Sequence, residues 1–266
     1  NFSDLIFSKF QLSKGPKVVV IGGGTGLSVM LRGLKSKTYN LTAVVTVADD
    51  GGSTGRIRED LDIIAPGDLR NCLVAMADKE GLMEQLFAHR FGGSGDLTGH
   101  SFGNLFIAAL IEVLGDVEEA MDATSKILRV RGKVIPSSAE KIRLNAKMTD
   151  GRIIEGESQI PHAHGRIKSV FTTPEHPKAI QSAVDAIKGA DAIVLGPGSL
   201  YTSIMPNLCV PDIIGAIRDS KAPKIYICNV MTQKGETDDY TVSDHVKAIH
   251  RQAGDKIIDF VIANNG

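Results

Sequence analysis

Residues 17–26 read KVVVIGGGTG, and this stretch decides the fold. The β-branched run Lys17–Ile21 predicts a buried strand, and the apolar residues from Leu27 to Leu34 recur at helical spacing. The glycines therefore lie where a strand passes into a helix, so their amides can approach a phosphate at the positive helix end. The dinucleotide fingerprint G-x-G-x-x-G is incomplete, because Leu27 holds its last glycine position. A tight structural turn is the alternative interpretation of this loop.

Outward from this stretch, strands alternate with helices. A second buried strand is predicted at 41–47, followed by a loop from Ala48 to Gly55. Such alternation favours an α/β fold of modified Rossmann type, with a doubly wound, mainly parallel sheet in three αβα layers. The further predicted helices are 67–77, 100–114, 178–188, 211–218 and 242–252, and the further predicted strands are 192–195, 224–228 and 256–262.

One segment departs from this alternation. Between about 128 and 172 apolar and polar residues alternate on both sides of Thr149-Asp150-Gly151, which is typical of a hairpin turn. We therefore predict a small antiparallel β insertion there. The domain organisation is then an N-terminal tail or linker at 1–16 and a single Rossmann-like domain at 17–266.

Composition excludes several classes of function. The 266 residues are 42% hydrophobic, and 30 Lys and Arg against 31 Asp and Glu leave a net charge of −1. A chain with this charge balance has no net positive electrostatic field to attract nucleic acid or an anionic membrane, so we expect neither as a partner. No apolar stretch reaches the roughly 18 residues of a membrane helix, and residues 1–14 lack the shape of a signal peptide. Three scattered cysteines suit free thiols in a reducing cytoplasm.

Four more loops carry polar residues at predicted strand or helix ends. After the second strand, Asp49 and Asp50 are candidates to accept a hydrogen bond from a ribose hydroxyl or to hold a magnesium ion that bridges phosphates. A turn satisfied by its own Asp side chain is the alternative. In the helix openings 66–71 and 99–104, Asp68 and Ser101 are either N-caps or ligand contacts. The fifth loop, 196–203, follows the strand 192–195.

In doubly wound folds ligands bind outside the carboxyl ends of the strands, so we expect these loops to form one site. His162 and His164 lack nearby ligands to complete a metal set, and the sequence has neither a G-x-S-x-G elbow nor a P-loop. We predict no catalytic residue. The predicted ligand-binding residues are Gly22, Gly23, Gly24, Thr25, Gly26, Asp49, Asp50, Gly51, Ser53, Arg56, Asp68, Arg70, Asn71, His100, Ser101, Asn104, Gly196, Pro197, Gly198, Ser199, Tyr201, Thr202 and Asn229.

Five strings in order resemble one known family: GGGTGLSVMLRGLK from Gly22, VTVADDGGSTGRIR from Val45, PGDLRNCLVAMAD from Pro66, GHSFGNLFIAAL from Gly99 and GPGSLYTSIMPNL from Gly196. They are similar to the YvcK-type gluconeogenesis factors (UPF0052), within a superfamily that includes 2-phospho-L-lactate transferase, CofD. The resemblance implies a cytoplasmic protein that binds UDP-sugars, has no established catalysis and supports growth and cell shape on gluconeogenic carbon sources. Asp50 matches the acidic position after the second strand in the magnesium-dependent transferases, so the resemblance implies a metal role for Asp50 in this chain. It also implies further chain after the equivalent of Gly266, carrying part of the UDP-sugar site, and in some members membrane helices upstream.

Three hypotheses follow from the residues and the resemblance. The first is a non-enzymatic regulator that responds to a nucleotide sugar. The second is a magnesium-dependent transferase that uses a nucleotide-diphosphate donor. The third is an NAD-binding oxidoreductase, which Leu27 and the absence of an obvious hydride-transfer partner weaken. The lack of a clear acid-base pair favours the first, with a homo-oligomer as a candidate assembly.

Overall fold

A computed structural model describes residues 10–78, 81–255 and 257–264. Its main sheet has six strands, and every neighbouring pair runs parallel. In chain order its strands are β1 (Val18–Gly22), β2 (Leu41–Val45), β3 (Lys133–Pro136), β7 (Ala192–Leu195), β8 (Lys224–Ile227) and β9 (Phe260–Ile262), and their order in the sheet is β3-β2-β1-β7-β8-β9. This is the predicted doubly wound α/β class.

The sheet order reverses direction at β1. Here β1 lies between β2 and β7, and Ile21 pairs with Val44 on one side and Leu195 on the other. At such a switch point, the chain segments that follow the two neighbouring strands pass to opposite faces of the sheet. A crevice therefore forms outside the carboxyl ends of these strands. The central strand is an apolar run because helices cover both faces, and Val20 and Ile21 are fully buried.

Helices flank the sheet, and most lie where the apolar spacing predicts them. They are α1 (Gly24–Leu34), α2 (Gly52–Leu61), α3 (Gly67–Met76), α4 (Gly81–Ala88), α5 (Phe102–Leu114), α6 (Val117–Ile127), α7 (Gln181–Lys188), α8 (Pro211–Asp219) and α9 (Val242–Ala253). Helices α2, α4 and α6 were not predicted. The predicted loop 48–55 was wrong in its second half, because α2 begins at Gly52, whose φ of +48° lets a glycine-rich turn open a helix.

The antiparallel insertion is present but starts later than predicted. Its sheet has the order β5-β4-β6, from β4 (Arg143–Met148), β5 (Ile153–Glu155) and β6 (Ile167–Thr173). The hairpin at Thr149-Asp150-Gly151 is confirmed, because β4 and β5 pair antiparallel on either side of it. The segment from 128 to 136 was misplaced, since β3 pairs parallel with β2 in the main sheet. In a strand of only four residues, the alternation of apolar and polar side chains does not show whether the strand belongs to the parallel main sheet or to an antiparallel sheet.

The described part of the predicted N-terminal tail packs on the domain. The Tyr39 amide donates to the Leu12 carbonyl oxygen at 3.0 Å, and the Asn40 side chain donates to the carbonyl oxygens of Ser13 and Gly15. Residues 1–9 lie outside the described residues, as do Lys256 of the last predicted strand and residues 265–266. Within the described ranges, no helix has both the length and the apolar character needed to cross a bilayer.

Candidate functional site

Two glycine loops meet at the switch point. A Cβ on Gly26 would lie 3.1 Å from the Pro197 carbonyl oxygen, and one on Gly22 would lie 3.8 Å from the Gly196 Cα. The first and fifth predicted loops therefore pack backbone against backbone, and two of their glycines serve this close approach. We call the space bordered by residues 22–26 and 196–199 the switch-point crevice.

The start of α1 faces a carboxylate from α3. The Gly24 amide donates to the Asp68 carboxylate, and a Cβ on Gly23 would lie 2.5 Å from Asp68 Oδ2 and 2.6 Å from Thr46 Cγ2. Gly24 itself has a φ of +69°, which a glycine adopts without strain. Asp68 is not the N-cap of α3, because Pro66 holds that position and Asp68 lies in the first turn. Its carboxylate occupies the positive end of α1 instead.

Three carboxyl groups share this edge of the sheet. Burial, and next the neighbouring Asp49 carboxylate, raise the pKa of Asp68 to about 7. Burial, followed by repulsion from Asp49, Asp50, Asp68 and Glu236, raises the pKa of Glu157 to about 8. Across the described residues, Asp49, Asp68 and Glu157 form no salt bridge that would offset this repulsion. The crevice can therefore hold a proton or a cation near neutral pH.

Asp50 connects the main sheet to the antiparallel insertion. Its Oδ2 accepts from the Glu157 amide at 3.0 Å, and its Oδ1 accepts from the Ser158 amide at 2.8 Å. These amides open the 3₁₀ helix Glu157–His162, so the carboxylate caps a helix that is distant in sequence. Asp50, predicted as the metal ligand, has both oxygens engaged in this docking contact.

The oxygen donors of the crevice suit magnesium only in part. Magnesium is usually held by one or two carboxylates together with substrate phosphates. Asp49 and Asp68 supply such carboxylates beside the glycine loop, and their mutual repulsion would be relieved by a cation. Yet in the described ranges no three His, Cys, Asp or Glu residues are grouped so as to hold a metal ion. These residues therefore fit an ion that a ligand's phosphates complete.

Four predicted site residues form a buried cluster, which we call the Ser53 cluster: Ser53, His100, Ser101 and Asn104. The Ser53 Oγ accepts from the Ser101 amide at 3.2 Å and from the Asn104 side chain at 3.3 Å. The Ser53 hydroxyl therefore donates its own hydrogen to His100 Nδ1, which lies 3.2 Å away. To accept this hydrogen bond, Nδ1 must carry no proton. Burial, and secondarily Arg56, lower the pKa of His100, in agreement with a neutral imidazole ring. All four side chains are buried, with Asn104 only 1% exposed.

Ser101 holds the N-cap position of α5, but its hydroxyl makes no capping hydrogen bond. The hydroxyl donates to the Phe87 carbonyl oxygen and accepts from Arg70 Nη1 at 2.6 Å. The capping interpretation of this side chain was therefore wrong. The first amides of a helix can be satisfied by acceptors other than the N-cap side chain. Here the Ser101 hydroxyl instead connects the start of α5 to α3 and α4 through its hydrogen bonds.

The other predicted basic and amide residues lie around this cluster. Arg70 is 9% exposed, and its Nη2 donates to Asn71 Oδ1 at 2.6 Å. Exposed Arg56 donates to the Thr98 carbonyl oxygen at 2.8 Å. Thr25 at the start of α1 is also exposed, and Gly51 is partly accessible.

In the fifth loop, the accessible and the buried residues separate. Gly198 and Ser199 are partly accessible, and the Gly198 amide donates to Asn229 Oδ1 at 3.2 Å. Tyr201 and Thr202 are buried, however, and the Thr202 hydroxyl donates to Glu236 at 3.0 Å. The first half of this loop borders the crevice, and from its second half the Ser203 hydroxyl lies 3.3 Å from where a Cβ on Gly24 would be.

Three residues of the site region were not predicted. Glu157 of the insertion lies close enough to Asp49, Asp50 and Asp68 for their charges to raise its pKa, and buried Glu236 accepts a hydrogen bond from the Thr202 hydroxyl. Fully buried Asn207 donates to the carbonyl oxygens of Gly22 and Ser203, which fixes the glycine loop against the fifth loop. Nothing in the local sequence marks them, because each acts on a partner far away along the chain.

Comparison with known proteins identifies the family. The family model described as 2-phospho-L-lactate transferase CofD matches residues 18–266. The chain belongs to the CofD family. The match spans all five candidate loops of the CofD-family domain.

Curated relatives within the CofD family carry a different name. The chain is 54% identical over 262 residues to the putative gluconeogenesis factor of a Nostoc species, covering 98% of the chain and 58% of that protein. It is 53% identical over 254 residues to the gluconeogenesis factor of Bacillus subtilis, covering 96% of the chain and 80% of that protein. The predicted family resemblance is thus confirmed.

A solved structure confirms the CofD-family fold. The crystal structure of a UPF0052 family member from Bacillus halodurans matches with a TM-score of 0.92 at 54% identity, covering 95% of this chain and 81% of that chain. The chain spans little more than half the length of the Nostoc relative.

Proposed function

We propose that this chain binds a nucleotide sugar of the UDP-sugar type in the switch-point crevice and acts as a regulator of gluconeogenic metabolism. The observation that carries the proposal is the start of α1, where the Gly24 amide meets Asp68 with Asp49 beside it. A diphosphate is attracted to the positive helix end but repelled by both carboxylates. A magnesium ion held by Asp49 and Asp68 would neutralise that repulsion. Binding of the diphosphate is therefore expected to depend on magnesium.

The gluconeogenic role rests on the relatives. Proteins named gluconeogenesis factor are 53 to 55% identical to this chain over nearly its whole length. A part in cell-shape maintenance, a cytoplasmic location and a homo-oligomeric state belong to the same proposal. The Ser53 cluster supports binding rather than catalysis, because the lone pairs of its hydroxyl are taken by neighbouring N–H donors.

One observation favours a second candidate, a transferase that acts on a nucleotide-diphosphate donor. The Asp68 carboxyl, with a pKa raised to about 7, suits a general base near neutral pH. The family model also carries a transferase name. No comparable observation favours the NAD-binding hypothesis.

Titration separates the two candidates. UDP-sugars and guanosine diphosphate are titrated calorimetrically into the protein with magnesium and with a chelator, and chromatography follows nucleotide release from sugar-nucleotide donors. We expect UDP-sugar binding that magnesium strengthens, with no release. Asp68→Asn should change the magnesium dependence, and Asp219→Asn on the exposed end of α8 should not. Nucleotide release by the wild type that requires an added alcohol acceptor and that Asp68→Asn abolishes would establish the transferase, and no binding under any condition would refute both.

A further inference from the structure

A small basic cavity lies beside the switch-point crevice. It lies between α1, α3 and the segment after α4, and its volume is about 160 Å³. Its polar lining comprises Ser28, Arg32, Arg70, Asn71 and Arg90. Three guanidinium groups thus border one cavity, and no carboxylate borders it.

Among the described residues, two of these three arginines form side-chain hydrogen bonds, and their partners are neutral. Arg70 donates to the Ser101 hydroxyl and the Asn71 side chain, and Arg90 donates to the Gly99 carbonyl oxygen at 3.0 Å. Over the described ranges, none of Arg32, Arg70 and Arg90 forms a salt bridge. Each keeps N–H donors beyond these bonds, since a guanidinium carries five.

This arrangement carries uncompensated positive charge. Burial, and secondly the charge of Arg90, lower the pKa of Arg70, so its guanidinium lies where a positive charge is disfavoured. Asp68 and Asp49 act on Arg70 in the opposite direction, but only from a distance. Buried charges are ordinarily paired, so a charged group without a partner indicates a missing anion.

We propose that this cavity binds a phosphate group. Arginine forks match phosphate oxygens in bidentate fashion, and a phosphate monoester carries a charge of about −1.5 to −2 at neutral pH. Ligand pockets usually measure about 300 to 1,000 Å³. This cavity of about 160 Å³ is about half the lower limit, so it takes a single phosphoryl group rather than a whole nucleotide sugar. Since Asn71 Oδ1 accepts from Arg70, its amide nitrogen is left as a further donor.

The cavity is set back from the glycine loop. Arg32 lies eight residues after Gly24 on α1, which is about 12 Å along the helix axis. The phosphate group therefore has two sources, a phosphate of the crevice-bound nucleotide or a separate phosphorylated molecule. Because Arg32 and Arg90 line this cavity and not the glycine loop, their replacement tests phosphate binding in the cavity independently of the proposed function.

Inorganic phosphate is titrated into the protein by calorimetry, with sodium chloride holding the ionic strength constant. We expect saturable binding that weakens at least tenfold in the double variant Arg32→Gln with Arg90→Gln. Both arginines are exposed, so the variant should fold. The control double variant, Lys188→Gln with Lys221→Gln, removes the same charge from exposed positions elsewhere.

A second titration assigns the source. If phosphate competes with UDP-sugars and the arginine variant also weakens UDP-sugar binding, the cavity holds a phosphate of the nucleotide. If both ligands bind together, the source is a separate phosphorylated molecule. Absence of saturable phosphate binding, or an equal loss in the lysine control, would overturn the proposal.

Discussion

The switch-point crevice and the Ser53 cluster look alike in sequence but differ in what their polar groups do. Around the crevice, Asp49 and Asp68 lie near each other and form no salt bridge among the described residues, and burial raises the pKa of Asp68. In the cluster, the Ser53 hydroxyl has three partners and Asn104 is almost fully buried. Both regions come from glycine-rich strings with Ser, Asn and Asp. Repulsion between neighbouring carboxylates, rather than composition, therefore distinguishes the crevice from the cluster.

The cluster supports the crevice through the backbone. Ser53 lies in the first turn of α2, just after the loop that carries Asp49, and the cluster attaches this turn to α5. A change in the cluster should thus act on stability first, whereas a change in the crevice should act on affinity. Three substitutions test this division.

The largest effect is expected from Gly23→Val. Its Cβ would lie 2.5 Å from Asp68 Oδ2 and 2.6 Å from Thr46 Cγ2, so the Asp68 carboxylate must move away from α1. We expect UDP-sugar affinity to fall at least a hundredfold, and overpacking to cost about 1 to 3 kcal/mol of stability. Calorimetry and thermal unfolding measure the two effects. The control is Gly33→Val in α1, where an added Cβ meets nothing within 4 Å; similar behaviour of the two variants would contradict the assignment.

Next in size is Asn104→Ala. Loss of the side-chain bonds to the hydroxyls of Ser53 and Thr54, at 3.3 and 3.4 Å, should cost about 1 to 3 kcal/mol in a buried site. UDP-sugar affinity of the folded protein should hardly change. Asn229→Ala, which removes the acceptor of the Gly198 amide, should show the reverse pattern. Urea unfolding measures the stability of both variants, and calorimetry measures their UDP-sugar affinity. A greater loss of affinity in Asn104→Ala than in Asn229→Ala would place the Ser53 cluster in the ligand site.

The third test is a change in pH dependence in Asp68→Asn. The folded pKa of Asp68 is about 7, above the unfolded value of about 3.9. The folded state thus retains a proton that the unfolded state has lost, so this group's contribution to stability falls as pH rises from about 4 to about 7 and is constant above. Asp68→Asn should flatten that fall. Thermal unfolding from pH 4 to 8 measures it, with Asp219→Asn as control; a profile identical to wild type would show that Asp68 titrates normally.

Much of the fold could be predicted from local patterns. The strand before Gly22, the helix after it and the hairpin at Asp150 are written in short-range periodicity and turn residues, and all three are present. Helix α2 was missed because its first turn is glycine-rich, and β3 was assigned to the wrong sheet because its four residues carry too little pattern.

The sequence by itself determined the α/β class, the glycine loop at the end of β1 and the family. It also determined that polar loops would gather at one sheet edge, since parallel strands place their carboxyl ends together. Tertiary structure alone decided which of those polar groups stay available. Asp50 is engaged by amides more than 100 residues away, and Ser53 by α5, while Glu157 of the insertion feels the charges of Asp49 and Asp68. Hydrogen-bond saturation and burial depend on such distant partners, which residue type and spacing do not encode.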